Sequence, residues 1–360
     1  MKMSRMKTLG VIALALLICE GLNRRIPAQQ NSSRLPPYPK SNIIRDVRWA
    51  PMETVIRKAK GGDNWPVTWA RDGSLYSTYG DGWGFEPKLE EKLSLGLVRI
   101  DGSPTDFSGV NLRSPTIEQR GQGRNGRKSW GILSVDGVLC LWLGHNNLQG
   151  GESTLAWSED HGGTWSTVDW KFEEFGLMGF VNFGRDYQGA RDEFVYAYSH
   201  DGPNADSPAD HFVLMRAHKD HLLKRDAWEF FVRRDANQQP VWSKRIDERG
   251  PVFEHPDSCL RSAITFNPGL NRYLWWQAIP QPPGHPDRGD TRFEGGFGIY
   301  DAPEPWGPWT TVEFVPAWDI GPGEHGDFPT KWMSEDGRTL HLIFSGDDCF
   351  CVRKAVLVTQ

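Results

Sequence analysis

The chain has 360 residues, including 17 Trp, 39 Gly and 25 Pro, and a formal net charge of −5. That length holds one large domain or two ordinary ones, and the aromatic, turn-rich composition excludes a bundle of long amphipathic helices. The mildly acidic balance argues against nucleic-acid binding, whose usual footprint is a basic patch.

The chain opens MKMSRMKTLGVIALALLICEGLNRRIPAQQ. Lys2, Arg5 and Lys7 precede an apolar run over 9–19, and Ala28 offers a small residue for cleavage. This pattern predicts a signal peptide over residues 1–28. An apolar run of 11 residues is too short to span a bilayer, which takes ~20, so no membrane span is expected. Leu17 and Ile18 stand before Cys19 where a lipoprotein site needs small residues, so anchoring there has weak support. Cleavage would remove five basic residues and one Glu and take the charge from −5 to −9. Residues 29–45 are polar and contain Pro, and read as a linker; 46–360 read as a single domain. A secreted or periplasmic location is expected. Four cysteines would remain, Cys140, Cys259, Cys349 and Cys351. Export permits disulfides and leaves three pairings open, with core thiols the plainest reading. No Cys or His spacing suggests a zinc site, and no cofactor or metal is implied.

Residues 61–85, GGDNWPVTWARDGSLYSTYGDGWGF, read as a hairpin: an apolar strand, an Asp-Gly turn, a second strand, then Gly and a polar residue. The pattern recurs in 128–145, KSWGILSVDGVLCLWLGH, and in 329–347, PTKWMSEDGRTLHLIFSGD. Looser copies span 180–201 and 260–279. Five hairpins at irregular spacings of roughly 50 to 80 residues, each with room for two more strands, predict an all-β fold. The expected architecture is a five-bladed β-propeller with four-stranded blades. SEDHGGTW at 158–165 fits the SxDxGxTW Asp-box turn of sialidase-like propellers, whose Ser and Asp satisfy turn amides. The charged segment 216–248 reads as an insertion with a short helix around HKDHLLKRDAWEFF.

The first hairpin carries Asp63 nine residues before its Asp72 turn and Asp81 nine after. Equidistant positions of an antiparallel pair face one another, with Cβ atoms ~4.5–5.5 Å apart, though a bulge would alter this. Two close carboxylates split their titration, one ionised and one protonated. Hydrolysis of a glycosidic bond uses such a pair. Asp63 and Asp81 are therefore the candidate catalytic pair. Asn64, Trp65 and Trp83 flank them, and the matching ends of other hairpins offer Arg127, Lys128, His200, Asp201, Arg261 and Asp347. Convergent polar groups over aromatic rings suit a polysaccharide or oligosaccharide. Asp72, Asp136 and Asp336 belong to ordinary Asp-Gly turns.

GDNWPVTWARDGSLYSTYGDGWGF, YSHD, YDAPEPWGPWT and FSGDDCF together resemble a bacterial domain family formerly of unknown function. Some of its members are endo-D-arabinanases of five-bladed propeller fold. The resemblance covers roughly residues 50–358 and implies that Asp63 and Asp81 are the catalytic aspartates. Glu254 is the candidate for the third carboxylate of the older arabinanase propellers. The expected function is a secreted glycoside hydrolase acting on a polysaccharide, with arabinan the implied type. The alternatives are a non-catalytic carbohydrate-binding propeller and a polysaccharide lyase with His200 as base and Arg261 facing a uronate.

Overall fold

The computed structural model describes residues 35–360. The expected signal peptide and the start of the expected linker lie outside the described residues. Among the described residues, every regular segment is a strand or a three-residue 3-10 turn. The helix expected near 218–231 is two such turns, Lys219–His221 and Arg225–Ala227, followed by the strand Glu229–Arg234.

Among the described residues the strands form four sheets. The first contains Val67–Trp69, Leu75–Tyr79, Leu93–Ser103 and Asp106–Leu112 in antiparallel order. The second contains Lys128–Val135, Val138–Gly144, Thr154–Ser158 and Ser166–Thr167. The third joins two antiparallel runs. One begins Met178–Asn182, Phe194–His200, Ala209–His218; the other is Ser262–Asn267, Arg272–Ile279, Gly296–Ala302, Thr310–Val315. They meet where Val181 and Asn182 pair in parallel with Ile264 and Thr265. The fourth pairs Gly326–Asp327, Thr339–Phe344 and Phe350–Thr359 with Ile44–Trp49, so a strand from early in the chain closes onto its last strand.

Local sequence explains these elements. LYSTY and KSWGILSV are buried at every position, as strands covered on both faces are. Asp136 and Gly137 connect Val135 to Val138 with φ of 50° and 84°. Positive φ at both central residues is what a two-residue hairpin loop of matching twist requires. Four of the five expected hairpins pair as read. The last does not: its first arm is Gly326–Asp327, and the stretch after Pro329 holds the 3-10 turn Thr330–Trp332 in place of a strand. In the 158–165 turn, Asp160 accepts from Ser158 Oγ at 2.8 Å and Thr164 N–H at 2.8 Å. The chain expected as linker is packed from Tyr38 onward, whose ring meets Phe253 and Tyr300. Cys140, Cys259, Cys349 and Cys351 are free and buried.

The first strand of each antiparallel run is tied to its neighbours by buried polar contacts. Ser134 N–H donates to Thr68 Oγ1 (2.9 Å), and Thr68 Oγ1 donates to Asn182 Oδ1 (3.0 Å). Asn182 pairs with Thr265, whose Oγ1 donates to Asp327 Oδ1 at 2.7 Å. Asp327 accepts from the backbone of Val67, which returns the chain of contacts to the first sheet. Burial pushes Asp327 up to about 6, against the pull of the Thr265, Phe328 and Val67 donors. Thr68→Val keeps the shape and removes the hydroxyl, leaving the Ser134 N–H without its acceptor. We expect a loss of about 2 kcal/mol in chemical denaturation; an unchanged midpoint would show that the contact carries no stability.

Candidate active site

The polar residues that matter lie at one end of these first strands. Asp63 precedes Val67–Trp69, Lys128 opens its own strand, Arg261 precedes Ser262–Asn267, and Glu324 and His325 precede Gly326–Asp327. His145 and Asp81 follow the second strands of their hairpins.

Asp63 is 5% exposed. Its backbone pairs both ways with Gly80, N–H to C=O at 2.9 and 2.8 Å. It therefore faces Gly80, where equal spacing from the turn had placed Asp81. Between Val67↔Ser77 and Asp63↔Gly80 the first strand holds one residue more than the second. Asn64, at φ 57°, lies in that bulge, and Asp81 stands one position on, at φ 44°. A Cβ on Gly80 would lie 2.6 Å from Asp63 Oδ1 and 3.2 Å from Lys128 Nζ. Glycine here lets both side chains close over the backbone.

Lys128 forms an ion pair with Asp81 Oδ1, and Gly123 N–H donates to Asp81 Oδ2 at 2.7 Å. Asp63 Oδ1 has no hydrogen-bond partner. Burial, reinforced by the charge of Glu324 and less by Asp81 and Asp348, pushes the Asp63 carboxyl up to about 8; Lys128 opposes the shift. Asp63 thus keeps its proton at neutral pH, while Asp81 lies against an ammonium.

Beside this pair, Arg261 is 5% exposed and reaches Glu324 at 3.2 Å and Asp206 at 3.9 Å. Three buried imidazoles feel its charge. Burial first, with Arg261 adding to it, pushes His145 and His200 down to about 4 and His325 to about 3. All three are neutral near pH 7. Asp348, raised by burial, has a buried Oδ1 without a partner and an oxygen 3.7 Å from Arg292. Its carbonyl accepts from Gly61 and Gly62 N–H, next to Asp63. Among the described residues no group of three or more His, Cys, Asp or Glu is placed to hold a metal ion.

Several expected binding residues are engaged within the fold. Trp65 is fully buried, its ring against Tyr79, Phe85 and Phe350, so it offers no face to a ligand. Trp83 is half-buried beneath the Lys88 and Lys92 ammoniums. Asp201 is taken by His211 (2.9 Å) and Arg249 (2.8 Å), and Asp347 by Arg57 (3.2 Å). Arg127 is partly exposed, with its N–H on Gln119 Oε1. Asn64 is buried, donates to Ser129 O at 2.5 Å and keeps Oδ1 unpartnered. Glu254 is exposed, its N–H on Tyr38 Oη, and of the carboxylates that act on Asp63 the strongest is Glu324. Glu324 was legible as a polar residue at a strand entrance once GD at 326–327 is recognised as that strand.

No protein-family model and no curated protein matches the chain. Among solved structures it is similar to a GH43_1 enzyme from Xanthomonas citri complexed with xylotriose, at 11% identity and TM-score 0.44, covering 85% of this chain and 90% of that one. It is also similar to a glycosyl hydrolase from Bacteroides ovatus, at 11% identity and TM-score 0.46, covering 90% and 98%. A third likeness is Hadza microbial sialidase Hz136, at 13% identity and TM-score 0.42, covering 83% of this chain and 53% of that one.

The raised Asp63 carboxyl has a consequence for stability. Below the ordinary value of 3.8 both folded and unfolded chains hold the proton, and the group costs nothing. Between there and about 8 only the unfolded chain ionises, so stability falls as pH rises. Asp63→Asn has no proton to lose. Its melting temperature should exceed that of the wild type, with a gap that widens from pH 5 to pH 8 and then levels. A gap independent of pH would mean that Asp63 ionises normally.

Proposed function

We propose that the protein is a secreted or periplasmic glycoside hydrolase, its strand groups arranged as a five-bladed β-propeller and its substrate a polysaccharide of arabinan type. The observation that carries this reading is the buried Asp63, its carboxyl pushed up to about 8 by burial and by Glu324, beside the Lys128-paired Asp81. Asp63 is the general acid: it gives its proton to the departing glycosidic oxygen. Asp81 supplies the carboxylate that acts on water or the anomeric carbon. Lys128 opposes the repulsion between the two, and burial, with Glu324 adding to it, keeps the proton on Asp63. Asn64 Oδ1 and the neutral imidazoles are suited to sugar hydroxyls.

A lyase is less well supported, because Arg261 already faces Glu324 and has no charge to spare for a uronate. Binding without catalysis does not account for a buried carboxyl held protonated at a cost to the fold.

Reducing-end release on a polysaccharide panel that includes D-arabinan tests the proposal. Wild type should release sugar, and Asp63→Asn and Asp81→Asn should each lose at least about 100-fold with folding intact. Activity should decline above about pH 8, where Asp63 loses its proton. Release that survives both substitutions would move the chemistry to other residues, and no release on any substrate would remove the hydrolase.

A further inference from the structure

An open cleft of about 460 Å³ adjoins the carboxylate pair through Arg261 and Glu324. Three arginines, Arg261, Arg288 and Arg292, and four carboxylates, Asp206, Asp287, Asp290 and Glu324, line it. Such a lining looks like an anion site until its charges are followed. Arg261 is 3.2 Å from Glu324, Arg288 is 2.9 Å from Asp257, and Arg292 is 2.7 Å from Asp290. Every guanidinium in the cleft already has a carboxylate partner. The nearby imidazoles of His145, His200 and His325 add no positive charge near neutral pH. The adjacent Asp348 adds another carboxyl on the same side.

Resting on the hydrolase reading, we propose that this cleft is a binding subsite for uncharged sugar residues and rejects uronic acid units. Paired guanidinium and carboxylate groups present fixed donors and acceptors side by side. A sugar hydroxyl both donates and accepts, so it matches that lining, whereas a uronate carboxylate meets acceptors whose compensating charge is already used. The chain would then thread uncharged glycan from this cleft toward Asp63.

Calorimetric titration of the full protein tests this, with neutral oligosaccharides derived from arabinan, xylan and glucan against oligogalacturonate. At least one neutral oligomer should bind, and oligogalacturonate at least tenfold more weakly. Asp290→Asn keeps an acceptor for the Arg292 N–H but removes its nearer carboxylate, leaving Arg292 only the Asp348 oxygen at 3.7 Å. It should narrow that difference at least threefold by gaining uronate binding. Equal or tighter uronate binding to the wild type, no neutral binding, or a difference unmoved by Asp290→Asn would overturn the proposal. The two readings fail separately. Selective neutral binding without hydrolysis keeps the subsite and removes the enzyme; hydrolysis of uronate polymers keeps the enzyme and removes the subsite.

Discussion

The geometry of this protein depends on the buried polar contacts that tie the first strands together. Thr68, Ser134, Asn182, Thr265 and Asp327 come from five different strands, and each contact spans a long stretch of sequence. Apolar packing would hold these strands together without fixing their relative depth. A hydroxyl donating to a carboxylate at 2.7 Å does fix it, because a shifted strand would leave a buried polar group unpaired. Since Asp63, Lys128, Arg261 and Glu324 enter just before or at the start of those strands, the same contacts set their mutual positions.

The site itself spends stability. Asp63 is buried with an unpartnered oxygen and acidic neighbours, an arrangement no fold needs. Ion pairs enclose it: Lys128 with Asp81, Arg261 with Glu324, Arg292 with Asp290. The burial left uncompensated falls most heavily on the Asp63 carboxyl, which answers by holding its proton. Two carboxylates near in sequence thereby come to differ in environment, the condition under which one acts as acid and the other as base.

What could be read from sequence follows from how local each signal is. Hairpins such as Lys128–Val135 with Val138–Gly144 announce themselves by an Asp-Gly loop between apolar runs. Gly326–Asp327 is two residues long and has no period, so nothing local marks it as the first arm of the last hairpin or Glu324 as the residue at its entrance. Asp63 and Trp65 would share one face of a regular strand. The left-handed Asn64 between them breaks the alternation, sending Trp65 into the core. Asp201 read as a site residue because its partner Arg249 is 48 positions away, a pairing that only the folded chain reveals.

The most direct test is a carbon-13 titration of the Asp63 side-chain carboxyl in the intact protein, assigned by comparison with Asp63→Asn. A midpoint near 8 would establish a proton-bearing acid at neutral pH, as required here. A midpoint in the ordinary range near 3.8 would contradict the account, since Asp63 would then have no proton to donate.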